Sequence, residues 1–390
     1  MKRVICCFLY LFVFTLPWED MFVVSSLGAI SKISGFLFFI MSFVYIVNRG
    51  YIYKVNGYTI LISLFVLWAT FSFFWSQNQT NSNILIFTVI QLFFMFLLMS
   101  QIVNEEILLL RVFQSFVLGG WVSSIGVIYN FLLNSNTFNG RFSAGSFDPN
   151  ELGIILVLSI TMAWYLNLKL KKRFWTLINY FYIFLGTFAV ALTASRTAFL
   201  ALIVCYSYIL FLGNKNKVSN KFSILLKVIS VSLIIYNIYT IIPDSATERL
   251  LTTSSDIKTG NFNSRQNAWE GGMQIFRDHP ILGVGIGAFR TTANIKYGID
   301  MVAHNIYVSV LGETGMIGLV LLLSILLILV RGVMRLNYSD KKFLLTMLMI
   351  WFLASLTLSW EYSKMTWLIL TFVNIYYKLF NDKTKSIYSL

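Results

Sequence analysis

Charge is what this sequence has least of. Only 12% of its 390 residues are charged, about half the share of an ordinary soluble domain, so the chain cannot cover a water-facing surface. Acidic residues number 16 against 30 basic ones, and no acidic cluster has the make-up of a hard-cation site. Two histidines and three cysteines give no spacing suited to zinc, and no metal or other cofactor is expected. Cys6, Cys7 and Cys205 stand in apolar runs and read as buried small hydrophobes. Four prolines exclude a Pro-rich linker, and neither an internal repeat nor a low-complexity stretch divides the chain.

What is present is apolar. Hydrophobic residues make up 57%, with 36 Phe, 20 Tyr and 10 Trp, and the mean hydropathy is +0.74. This is the composition of an all-α, polytopic integral membrane protein whose aromatic rings suit lipid-facing and interfacial positions. A span needs about twenty mostly apolar residues. Twelve are expected, near 4–18, 29–48, 57–75, 84–103, 112–133, 151–168, 174–193, 197–213, 223–242, 305–330, 343–360 and 364–380. Met1-Lys2-Arg3 before the first run resembles the start of a signal peptide. Pro17-Trp18-Glu19-Asp20 follows it in place of a small-residue cleavage site, so the run is taken as a span. Residues 1–390 are expected to form one membrane domain, with one large polar loop, 243–303, between spans nine and ten.

A net charge of +14 would suit nucleic acid in a soluble protein, but here its distribution is a topology signal and no nucleic-acid partner is expected. Alternating the loops places Lys2, Arg3, Arg49, Arg111, Lys169, Lys172, Arg173, Arg331, Arg335, Lys341 and Lys342, among others, on one side. That side collects 20 of the 30 basic residues and only Glu105, Glu106, Asp340 and Asp382 of the acidic ones. The positive-inside rule makes it cytoplasmic, with both termini inside. The 243–303 loop then faces outward.

Both histidines lie in that loop or at its edge. Within it, Arg265-Gln-Asn-Ala-Trp269 to His279-Pro280 reads as a short helix capped by Asn263 or Ser264 and stopped by Pro280, with Trp269, Met273 and Phe276 as an apolar face lying along the membrane surface. His279 reads as a helix-stop residue. In Gly283-Val-Gly285-Ile-Gly287 the glycines allow a tight bend that could present backbone N–H groups to an anion, with Arg290 just beyond. His304 stands at the start of span ten, where the macrodipole disfavours an imidazolium and keeps the ring neutral as a base; a solvated capping histidine is the alternative. Glu313, nine residues on, falls about half a turn off the His304 face and is not paired with it. Gly312, Gly315 and Gly318 at steps of three favour close helix packing.

Outside the loop, Arg196 follows Thr193-Ala-Ser195 with almost no room for a connection, so it sits at the outer membrane boundary. An arginine there either snorkels to headgroups or binds an anion such as a lipid phosphate. The loop from Arg141 to Glu151 contains Asp148-Pro149-Asn150, a turn signal in which Asp148 or Asn150 can cap the next helix. Glu19, Asp20, Glu361 and Lys364 mark other outer turns. No pair of catalytic carboxylates emerges from the spacing.

Ser195-Arg196 at a helix end, the Arg141–Glu151 loop, Arg265 through Trp269 to His279-Pro280 and Gly283-Val-Gly285, and His304-Asn305 through Glu313 to Gly318 together resemble the bacterial O-antigen polymerase and O-antigen ligase superfamily. The resemblance covers roughly residues 140 to 320 and the twelve-span layout. It implies a membrane glycosyltransferase that takes a glycan from undecaprenyl diphosphate at the outer face of the inner membrane and passes it to a sugar hydroxyl with inversion, using no metal. Arg196 and Arg265 would hold the diphosphate, His304 would orient or deprotonate the acceptor hydroxyl, and Arg290, Arg141, Asn305 and Glu313 would contact substrate. A chain-length regulator and a flippase are the protein partners it implies. The Asp148-Pro149-Asn150 loop is closer to polymerase-type members, which join lipid-linked repeats; a ligase, moving the finished chain to lipid A core, is the alternative. A lipid or sugar transporter is a third possibility, against which stands the lack of an acidic residue near the centre of any span.

Overall fold

The computed structural model describes residues 1–390 apart from 25–27, 54, 136, 139, 171, 213–264, 389 and 390. The ninth expected span, residues 243–264 of the large loop and the expected caps Asn263 and Ser264 lie outside the described residues. Among the described residues there are thirteen α-helices and only two-residue strands, so the protein is an all-α, polytopic membrane protein. Seven helices are long and apolar enough to cross a membrane: α2 (Ile30–Arg49), α3 (Gly57–Phe71, continued as a tight turn to Trp75), α4 (Gln79–Ile102), α5 (Glu106–Leu132), α6 (Pro149–Lys169), α7 (Arg173–Leu192) and α11 (Ile306–Met334). Helices also stand at four further expected spans: α1 (Lys2–Thr15), α8 (Arg196–Ser207, running into a π turn to Leu212), α12 (Tyr338–Ser355) and α13 (Lys364–Tyr388). At about 1.5 Å per residue α1 is only about 21 Å long, short of a hydrocarbon core of about 30 Å. The helices α9 (Arg265–Asp278) and α10 (Phe289–Tyr297) complete the set.

The helices form two compact units. The first comprises Met1–Arg49, Val103–Ser254 and Leu336–Leu353. Its centre is α6, in which every residue from Leu152 to Ala163 is buried, as suits a helix apolar all round. Asp148 caps α6 by accepting from Asn150 N at 2.7 Å, and Pro149 occupies the first helical position, where its missing N–H costs nothing. Lys169, at the far end of α6, pairs with Glu106 at 2.8 Å and Asp340 at 2.7 Å, and Lys2 pairs with Glu105 at 2.8 Å. These three ion pairs join residues distant in sequence that charge sorting assigns to one side of the membrane. Cys6 and Cys205 are buried, but Cys7 is exposed on the outer surface of α1, because its neighbours Ile5 and Leu9 turn inward instead.

The second unit comprises Gly50–Ile102, Ser255–Arg335 and Ala354–Leu390. Asn56 caps α3 through Thr59 N at 2.9 Å and also donates to Asn374 on α13 at 2.8 Å. Its long helix, α11, is interrupted. Gly315 takes φ 67°, ψ −165°, so the residue expected to aid helix packing breaks the helix. Gly312 and Gly318 do allow close approach, the first to Phe289 and Ile275, the second to Trp68. The eleventh span also differs from expectation. Asn337 accepts from Asp340 N at 3.0 Å and starts α12 at Tyr338; the helix ends at Ser355 and leaves 356–363 as a turn.

Candidate functional site

The seven candidate residues divide between the units. Arg141 and Arg196 belong to the first; Arg265, Arg290, His304, Asn305 and Glu313 belong to the second.

In the first unit, α7 and α8 are joined by a turn in which Ala194 takes a left-handed φ of 46°. Ser195 caps α8 by accepting from Ala198 N, making half-buried Arg196 the first helical residue. A cation in the first turn opposes the helix macrodipole; an anionic ligand at that point would relieve the opposition. Gly153 on α6 lies so close to this turn that a Cβ there would come within 2.6 Å of Ala198 Cβ and 3.1 Å of Thr193 Oγ1. Arg141, only 7% exposed, donates from Nε to the Thr193 carbonyl at 3.1 Å and from Nη2 to Asn150 Oδ1 at 3.0 Å. It thereby braces the turn that carries Arg196.

In the second unit, α9 docks on its neighbours through its small residues and turns the Trp269, Met273 and Phe276 side outward. Ala268, Gly271, Gly272 and Ile275 are buried while Met273 is 44% exposed. Gly271 and Gly272 allow the close approach, since added Cβ atoms would lie 2.9 Å from Ile299 and 2.3 Å from Val308. Helix α9 therefore docks through its smallest residues on a core of Val284, Ala288, Phe289, Ala293 and Ala303. Arg265 is its first residue and half-buried. Trp269 Nε1 donates to the Ala303 carbonyl at 3.1 Å, which ties α9 to the residue before His304.

His304 has a left-handed φ of 46°, and its backbone N–H donates to Ser359 Oγ at 3.0 Å. Asn305 caps α11 by accepting from Tyr307 N and Val308 N, and its Nδ2 donates to the Leu356 carbonyl. The amide expected to touch substrate is thus engaged in shaping the helix start. The backbone carrying His304 is held from one side by α9 and from the other by the 356–362 turn.

The glycine-rich bend serves a different end from the one its spacing suggests. Val284 N and Gly285 N donate to the carbonyls of Gly312 and Glu313 at 3.0 and 2.8 Å, Ile286 N donates to Ser72 Oγ, and Met316 N returns a bond to the Pro280 carbonyl. Trp68 Nε1 donates to the Thr314 carbonyl at 2.9 Å. These donors satisfy carbonyls that the break at Gly315 strips of helical partners, a requirement inside a bilayer. The amides of Gly287 and Phe289 face the Glu313 side chain, so the anion that the bend meets is the protein's own carboxylate. Arg290 makes a two-point ion pair with Asp300 at 2.6 and 3.1 Å in which both side chains are exposed. Asp300 raises the pKa of the guanidinium by hydrogen bond and charge. His279 Nε2 meets the Gln77 amide nitrogen at 3.2 Å and Lys296 Nζ at 3.1 Å.

Glu361, legible in the sequence only as the mark of an outer turn, is buried beside Glu313. It is 7% exposed and Glu313 is 4% exposed. Ser309 Oγ donates to Glu361 Oε1 at 2.6 Å, and Tyr362 OH donates to Glu313 Oε2 at 3.0 Å. Ser309 and Glu313 lie one helical turn apart on α11 and Glu361 and Tyr362 are adjacent, so these two bonds bring the carboxyl groups to the same side of the helix start. An acidic residue flanked by Trp360 and Tyr362 beside a span was the available signal, but its partner stands 48 positions earlier and no spacing rule links them.

Residues 181–323 match a family described as O-antigen ligase. The match runs from α7 into α11 and takes in Arg196, Arg265, Arg290, His304, Asn305 and Glu313, leaving Arg141 outside. No curated protein matches the chain.

Proposed function

We propose, from the match of residues 181–323 to a family described as O-antigen ligase, that the protein is a surface-polysaccharide polymerase. It takes a growing glycan from an undecaprenyl diphosphate donor and passes it to a sugar hydroxyl of a second lipid-linked glycan. The match, which contains both cationic candidates, Arg196 and Arg265, and the candidate base, His304, in a chain of membrane-spanning helices, supports the glycan-transfer part of this reading; the preference for a polymerase rests on the resemblance of the Asp148-Pro149-Asn150 loop to polymerase-type members.

The chemistry asked of these residues is modest. The acceptor oxygen attacks the anomeric carbon from the face opposite the leaving group, the bond from that carbon to the diphosphate oxygen breaks, and the electron pair leaves with the diphosphate. Because a diphosphate is already a good leaving group, the guanidinium groups of Arg196 and Arg265 can offset the developing charge without a general acid. His304 takes the hydroxyl proton, assistance worth about 10²–10⁴-fold. Its backbone is fixed by Ser359, Asn305 and the Trp269–Ala303 contact, and a base placed in one geometry loses less to disorder.

Transfer of the finished chain to lipid A core is the second reading, favoured by the ligase description of the matching family. A gel of surface polysaccharide from a deletion strain separates them. A missing polymerase leaves single repeats on lipid A core, whereas a missing ligase leaves long chains on the lipid diphosphate. Unaltered glycan with loss of solute uptake would overturn both in favour of transport.

A further inference from the structure

Glu361 Oε1 accepts from Ser309, but Glu361 Oε2 is buried and meets no donor. The titratable groups acting on it are Glu313 from α11 and Tyr362 from its own turn. From α13 the polar neighbour is the indole of Trp367, which donates to the Glu361 carbonyl at 3.1 Å. Among the described residues no Lys, Arg or His acts on either carboxylate. Two buried like charges are costly where no described cation offsets them, and a proton on the orphaned carboxylate oxygen removes one of the charges. The same turn holds the backbone of His304 through Ser359 and the side-chain amide of Asn305 through the Leu356 carbonyl, while Ser355 Oγ donates to Tyr307 OH.

We propose that Glu313 and Glu361 share one proton, and that the protonated pair is the clasp holding the 356–362 turn against the start of α11, making Glu361 a positioning residue for His304. Loss of that proton leaves two anions facing each other and loosens the turn from the helix. The positioning role rests on the proposed function of His304; the shared proton does not. Burial and the Glu313 carboxylate push the Glu361 carboxyl up to about 8, in accord with a proton retained at neutral pH. A raised pKa in the folded state means that the fold binds the extra proton, so its stabilising effect is complete below the ordinary carboxyl range and is lost as pH rises through the folded value.

The test uses the full-length protein in lipid nanodiscs, with two readouts. The first is the thermal unfolding midpoint between about pH 6 and about pH 9, the window in which a carboxyl of this pKa titrates. The wild type is expected to lose stability across it, and Glu361→Gln, which keeps the shape of the protonated acid, to lose that slope. The second is glycan transfer over the same window. The wild-type rate should fall at the alkaline end while Glu361→Gln sustains its rate there. Glu361→Ala should lower kcat about tenfold, the effect of removing one partner of a buried hydrogen bond, with KM unchanged. A flat wild-type midpoint, or an unaltered slope in Glu361→Gln, overturns the shared proton. An unaltered pH profile of transfer in Glu361→Gln overturns the positioning role. Full transfer by His304→Ala would instead sink the functional reading and leave the melting result standing.

Discussion

Replacing Gly283 with alanine probes the contact between the glycine-rich bend and the break in α11. Gly283 takes φ +70°, and a Cβ there would fall 2.4 Å from the Glu313 carbonyl oxygen and 2.6 Å from Gly315 N, both backbone atoms that cannot rotate away. Gly298 is the matched control. It has the same φ of +70°, in the same loop, with nothing within 4 Å of an added Cβ. Both alanines bear the left-handed penalty of about 1–2 kcal/mol. Only at Gly283 must the bend also move off the break in α11, which weakens the Val284–Gly312 and Gly285–Glu313 bonds at about 0.5–1.5 kcal/mol each. Gly283→Ala should therefore be about 1–3 kcal/mol less stable than Gly298→Ala. Equilibrium unfolding of the purified full-length protein in mixed micelles measures the difference. Equal stability of the two variants would refute the pairing of the bend with the helix break.

Arg141→Ala strips the Thr193 carbonyl of a donor and should cost about 1–3 kcal/mol, read as a lower thermal midpoint, with the heat-stable fraction fully active if Arg141 only braces the turn. In the loop, the Tyr297 hydroxyl and then Lys296 hold the Asp278 carboxyl below its ordinary 3.8. That stabilisation is present above the ordinary value and is lost as pH falls through the lower folded one. Asp278→Asn should accordingly lessen the acid-side loss of stability, seen in melting curves taken downward from about pH 5. Because Arg290 and Asp300 are both exposed, Asp300→Ala should leave the melting midpoint almost unchanged, as for most surface pairs; a large fall would show that the pair organises the loop.

Features carried by a local signal were legible in the sequence. Asp148-Pro149 starts α6 as its turn chemistry predicts, helices stand at eleven of the twelve expected spans, with the twelfth outside the described residues, and residues sorted to one side pair with one another, as Lys169 does with Glu106 and Asp340. What escaped depended on partners remote in sequence or on residues too small to form a pattern. An amphipathic pattern weighs large apolar side chains, so it marked the outward side of α9, Trp269, Met273 and Phe276, and gave no sign that the helix docks through Ala268, Gly271 and Gly272. The N–H groups of the glycine-rich bend are spent on carbonyls exposed by a break at Gly315, which helical periodicity gave no reason to expect. Glu313 appeared as a lone acid because Glu361 comes to it only through the turn that α12 makes by ending early.

The most direct measurement is glycan transfer by the purified protein in nanodiscs, supplied with a short undecaprenyl diphosphate-linked glycan as both donor and acceptor. The wild type should elongate the lipid-linked glycan. Arg196→Ala, Arg265→Ala and His304→Ala should each lose at least about a hundredfold in rate, as expected when charge stabilisation or a general base is removed, while melting like the wild type. Elongation at the wild-type rate by folded His304→Ala, or by folded Arg196→Ala, would contradict the account.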